Sequence, residues 1–190
     1  MNKQSNLIRF TESTLSGLFP FLWDYAPSIS TIKKTASYFH KIFFDSILAW
    51  NPQNFPLFLN KKNNEEPWER LKILKEIFKP NLIKIPLITD VPSRNRLFDD
   101  KILTNFLTLL KDYQISNIRL INYFNNSEIL EKVIKNCLKS EIEPEGTVYI
   151  NPSHPDLIIN KTLIDYYTDV GIKSITLYEP IGTLKIKQID

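Results

Sequence analysis

Short runs of β-branched and aliphatic residues alternate along this chain with longer stretches whose apolar positions recur every three or four residues. The first pattern suits a buried strand and the second an amphipathic helix. Leu7-Ile8-Arg9-Phe10 predicts a first strand. Ile32, Ala36, Phe39, Ile42 and Phe43 then keep helical spacing over 30–44, with Ser30 as N-cap. A second strand is expected over 46–50. Glu65-Glu66-Pro67-Trp68 opens the next helix, because Pro suits the first helical position and the acidic pair suits the positive end of the dipole. That helix runs to about Phe78 and Pro80 ends it, before a third strand over 82–88 with Pro86 near its end.

The pattern then repeats. Asp99-Asp100 start a helix carrying Ile102, Leu103, Phe106, Leu107, Leu109 and Leu110, and Ile118-Arg119-Leu120-Ile121 gives a fourth strand. A helix over 127–139 precedes a fifth strand over 146–150. Another over 155–170, stopped by Gly171, precedes a sixth strand over 174–178. In the tail after Gly182, Leu184, Ile186 and Ile189 are apolar. No hairpin signal separates the strands, and no composition shift marks a boundary, so residues 1–190 read as one α/β domain of about six β-α units. Such alternation predicts a parallel sheet, either doubly wound or a TIM (β/α)8 barrel, and periodicity does not separate the two.

Several motifs go further. Glu65-Glu66-Pro67-Trp68-Glu69-Arg70-Leu71 resembles an E-D-P-W-E-R-L segment. Upstream, Trp50 and Phe55 match a W-G-G-A-T-F ending, with Asn51-Pro52 in place of the paired glycines. Downstream, Ile118-Arg119-Leu120-Ile121-Asn122 resembles F-R-I-F-D with Asn122 for the Asp, and Glu145-Gly146-Thr147 matches E-G-T. Glu12-Ser13-Thr14-Leu15 resembles D-T-T-L. In this order the motifs resemble the carboxyltransferase domain of the family of pyruvate carboxylase, oxaloacetate decarboxylase alpha subunits and transcarboxylase. The resemblance covers about residues 6 to 187. It implies an incomplete TIM barrel, with about six of the family's eight parallel β-α units and without the last two.

The resemblance also implies a chemistry that can be checked position by position. The family holds a divalent metal between an Asp after the first strand, a Lys on the sixth strand and an H-x-H pair on the seventh. The metal stabilises a pyruvate enolate while CO2 moves to or from biotin. The first-strand motif continues R-D-x-H-Q in the family, and this chain reads Ser16-Gly17-Leu18-Phe19-Pro20. The sixth-strand I-K-D-x-x-G reads Leu177-Tyr178-Glu179-Pro180-Ile181-Gly182, so a tyrosine stands for the lysine. A phenol with a pKa near 10 is a poor ligand for a hard metal. The R-G-A-N segment, which helps to hold substrate, reads Ile88-Thr89-Asp90-Val91, and the sequence contains no H-x-H.

Other chemistry is sparse. Glu12, Asp90 and Glu179 would fall near strand ends and could gather as weak Mg2+ ligands, but separate solvated loop acids are the expected reading. Ser153-His154-Pro155-Asp156 holds triad letters, yet sequence neighbours rarely meet triad geometry. His40, placed mid-helix, and His154, after a strand, show no ligand spacing. Cys137 keeps helical spacing with Leu130, Val133 and Ile134 and reads as core, and a lone cysteine excludes an internal disulfide and suggests a reducing compartment. No catalytic, cofactor-binding or metal residue is therefore expected, nor a metal or biotin.

Composition sharpens this. Only Gly17, Gly146, Gly171 and Gly182 are glycines, against about thirteen at the usual ~7%. Loops that approach a phosphate or substrate closely tend to need Gly, which argues against a loop-built site. The net charge of +3 comes from nineteen Lys and five Arg without a basic stripe, so no nucleic-acid partner is expected. The absence of a signal peptide or membrane span in this sequence points to the cytoplasm, with no membrane partner. Six β-α units leave strand edges that invite pairing, so the expected protein is a pseudoenzyme acting through self-association or a partner chain that closes the barrel. The alternative is a biotin-dependent carboxyltransferase subunit of the pyruvate carboxylase or oxaloacetate decarboxylase type, completed by a partner chain.

Overall fold

In a computed structural model of the chain, the described residues are 10–16, 27–42, 44–52, 59, 64–79, 82–89, 99–122, 127–149 and 157–178. They form two compact units, Met1–Pro86 and Leu87–Asp190.

In the first unit β1 (Thr11–Glu12) leads through a 3-10 turn (Thr14–Ser16) toward α1 (Ile29–Phe39). β2 (Ser46–Leu48), α2 (Pro67–Ile77) and β3 (Leu82–Ile88) follow, the last two residues of β3 belonging to the second unit. The strands pair in parallel, Thr11 against Ser46 and Ser46 against Leu82. Ile32, Ile47, Leu48, Trp50, Leu71, Leu74 and Phe78 are buried.

The first predicted strand, 7–10, lies outside the described residues except for Phe10; the paired strand is Thr11–Glu12. The cap of α1 is Ser28 rather than Ser30, since Ser28 is extended and its Oγ accepts the Thr31 N–H at 3.2 Å. The helix also ends at Phe39, before the predicted 44. The Lys41 and Ile42 N–H groups turn back tightly to Tyr38 and Phe39, and Asp45 N–H is taken by the Phe10 carbonyl at 2.9 Å to begin the sheet. Ile42, apolar and at helical spacing, is consequently 58% exposed.

In the second unit α3 (Asp100–Asp112), β4 (Asn117–Ile121), α4 (Ser127–Lys139), β5 (Glu143–Tyr149), α5 (Leu157–Asp169) and β6 (Ser174–Tyr178) alternate. Asp99 caps α3 as its sequence predicts, accepting the Lys101 N–H at 3.0 Å. β4 pairs with β5 and β5 with β6, both in parallel. β5 begins at Glu143, three residues before the expected start, and so contains Pro144. Glu143 N–H points to the β4 side, reaching Ser116 O at 2.7 Å. The missing N–H of Pro144 therefore falls on the β6 side, where pairing starts only at Glu145.

Strand order follows chain order from β1 to β6. β2 lies between β1 and β3, and β3 is tied to β4 where Thr89 N–H donates to the Ile121 carbonyl at 2.8 Å. A doubly wound sheet would instead reverse its order at β1, with β3 or β4 beside β1. The order is that of a β-α barrel, with six parallel strands and five α-helices among the described residues.

One local device recurs at all three helix ends of the second unit. Gln114, Glu141 and Gly171 have φ of 56°, 56° and 84°, and an isoleucine follows each. The Ile115, Ile142 and Ile172 N–H groups return to the Leu110, Cys137 and Tyr167 carbonyls at 2.8, 3.0 and 2.9 Å. These are Schellman caps, in which the isoleucine packs under the last turn while satisfying an orphan carbonyl. Gly171 advertised its cap in the sequence; Gln114 and Glu141 did not, because each accepts a left-handed conformation that costs a non-glycine residue about 1–2 kcal/mol.

Two glycines separate conformation from packing. A Cβ at Gly171 would meet nothing within 4 Å, so Gly171→Ala should cost about 1 kcal/mol through its φ. A Cβ at Gly146 would lie 2.7 Å from the buried Tyr167 ring, and Gly146→Ala should cost about 1–3 kcal/mol through overpacking. Urea denaturation of both variants checks the order, and an unchanged midpoint for Gly146→Ala would contradict the packing described.

Candidate functional site

The positions that carry the family resemblance can be followed to their contacts. In the first unit, Glu66 caps α2, its carboxylate accepting the Glu69 N–H at 2.7 Å, and Pro67 occupies the first helical turn. The Trp50 indole donates to the Pro67 carbonyl at 2.8 Å and meets Trp68 edge-to-face, with ring centroids 5.1 Å apart. Glu65 binds twice: one oxygen pairs with Arg70 Nη1 at 2.5 Å, and the other accepts the Ile29 N–H at 2.6 Å. Glu65 thus fastens the start of α1 to α2. Burial lowers the pKa of the Arg70 guanidinium, against the opposing pull of Glu65. Leu71 completes the segment in the core.

In the second unit the retained Arg119 and Glu145 are each other's partners. Arg119 Nε lies 2.5 Å from Glu145 Oε1, with the two side chains 5% and 3% exposed. The Thr176 hydroxyl donates to the same oxygen, so one carboxylate ties β4, β5 and β6 together. Gly146 admits the Tyr167 ring against the strand, and the Tyr167 hydroxyl reaches the Thr147 carbonyl at 3.3 Å. Thr89, where the family has its R-G-A-N segment, donates its hydroxyl to the Ile121 carbonyl at 3.2 Å. Asn122 is buried at the end of β4, and its amide has no hydrogen-bond partner.

Of the remaining candidates, Glu12, Tyr178, His40 and Cys137 are among the described residues. Glu12 is buried at the end of β1, where its carboxylate accepts the Leu15 N–H at 3.4 Å. Asp90 and Glu179 lie outside the described residues, as do the 17–20 segment and Ser153-His154-Pro155-Asp156. Tyr178 ends β6 in register with Tyr149 of β5. His40 is exposed and caps the C-terminus of α1, rather than sitting mid-helix as the spacing suggested, with its ring 6.0 Å from that of Phe78. Cys137 is buried, and burial pushes its thiol up to about 12.

The carboxylates retained from the motifs are engaged by Arg119, Thr176, Arg70 and backbone N–H groups. Among the described residues no group of three or more His, Cys, Asp or Glu side chains could hold an ion. No helix among them is long and apolar enough to cross a membrane.

Two predictions follow from these contacts. Arg119→Met leaves a buried carboxylate without its cation and should cost about 3–5 kcal/mol in urea denaturation, whereas Arg119→Met with Glu145→Leu should cost less than the single variants summed. Strict additivity would mean that the pair is not coupled. The protonated, buried Cys137 should resist Ellman's reagent at pH 8 until denaturant is added; stoichiometric labelling of the native chain within minutes would contradict that environment.

No family model matches the chain, and no curated protein matches it in sequence. Solved structures do match. The chain is 18% identical to the carboxyl transferase domain of Rhizobium etli pyruvate carboxylase with 3-bromopyruvate, at a TM-score of 0.72 over 94% of this chain and 31% of that one. The same domain without that compound gives 19%, 0.71, 95% and 32%. The complete multifunctional pyruvate carboxylase from Rhizobium etli gives 18%, 0.73, 94% and 18%. The chain thus spans about a third of the matched domain structures. Its fold is that of the pyruvate carboxylase carboxyltransferase domain, an incomplete α/β barrel in which the described residues supply six parallel strands and five α-helices.

Proposed function

We propose that the chain is a degenerate, non-catalytic carboxyltransferase-like protein that acts through protein–protein contacts. The observation that carries this reading is a division of labour among the motif positions. Trp50, Glu65, Glu66, Pro67, Trp68, Arg70, Arg119, Glu145 and Gly146 all serve the fold's own bonds and packing. The positions at which the resemblance would place the metal's Asp and Lys carry Gly17 and Tyr178. A scaffold kept without its donors supplies a surface and not a Lewis acid. Neither a divalent metal nor biotin is part of this function. The contacts in question are with a second copy of the chain or with a partner carrying further β-α units, since an unpaired edge of a parallel sheet is a template for another strand.

The purified chain should not release CO2 from oxaloacetate above the metal-catalysed background in the presence of Mn2+, Zn2+ or Co2+. Light scattering after size exclusion should give a mass above the 22.3 kDa monomer. Protein-dependent turnover would overturn the non-catalytic reading and favour a carboxyltransferase subunit. A monomer at micromolar concentration would remove self-association and leave a separate partner chain.

A further inference from the structure

We draw no further inference here: the strongest candidate, the buried and unpartnered side chains of Asn122 and Thr147 at the C-terminal ends of β4 and β5, falls on opposite faces of the sheet by strand alternation from the Arg119–Glu145 pair, so nothing in the structure shows one ligand that reaches both.

Discussion

A charge taken out of water has to be met by an opposite charge or by hydrogen bonds, and the second unit is arranged around one such obligation. Arg119 and Glu145 are both buried on neighbouring strands, and Thr176 of the next strand donates to the same carboxylate oxygen. A register slip of one residue in either strand would turn one partner toward the opposite face and leave a bare ion inside the protein. The pair therefore specifies register more than it adds stability, because its Coulombic gain is set against the desolvation of both groups. Glu65 meets a comparable obligation in the first unit, where it pairs with the buried Arg70 and accepts the first N–H of α1.

The same constraint gives the other motif residues their work in the fold. Replacing Trp50 removes the donor to Pro67 and the edge of a two-ring contact, and replacing Gly146 drives a Cβ into Tyr167. Each change is penalised by folding itself, whatever reaction the barrel performs. A metal ligand at the end of a strand has no comparable structural penalty.

Much of the fold was legible in the sequence because its signals are local. Periodicity placed the helices, Asp99-Asp100 and Glu65-Glu66-Pro67 marked helix starts, and the β-α alternation required parallel pairing. The legible signals failed where tertiary contacts overrode them. The end of α1 was hidden because Asp45 is recruited by Phe10, 35 residues away, and Pro144 disguised the start of β5 because only the neighbouring edge shows that its missing N–H is unneeded. The caps at Gln114 and Glu141 were hidden by residue type. For the site, the sequence revealed substitutions but not partnerships. That Arg119 and Glu145 belong together is a fact of register, and their shared retention was its one trace in the sequence.

Metal content bears most directly on the claim that these residues serve the scaffold and not the reaction. The full chain, purified from cells grown with supplemented Mn2+, Zn2+ and Co2+ and then desalted, should carry far less than one ion per chain by elemental mass spectrometry. One tightly held ion per chain, retained through desalting and lost on substitution of Glu12 or Tyr178, would contradict it.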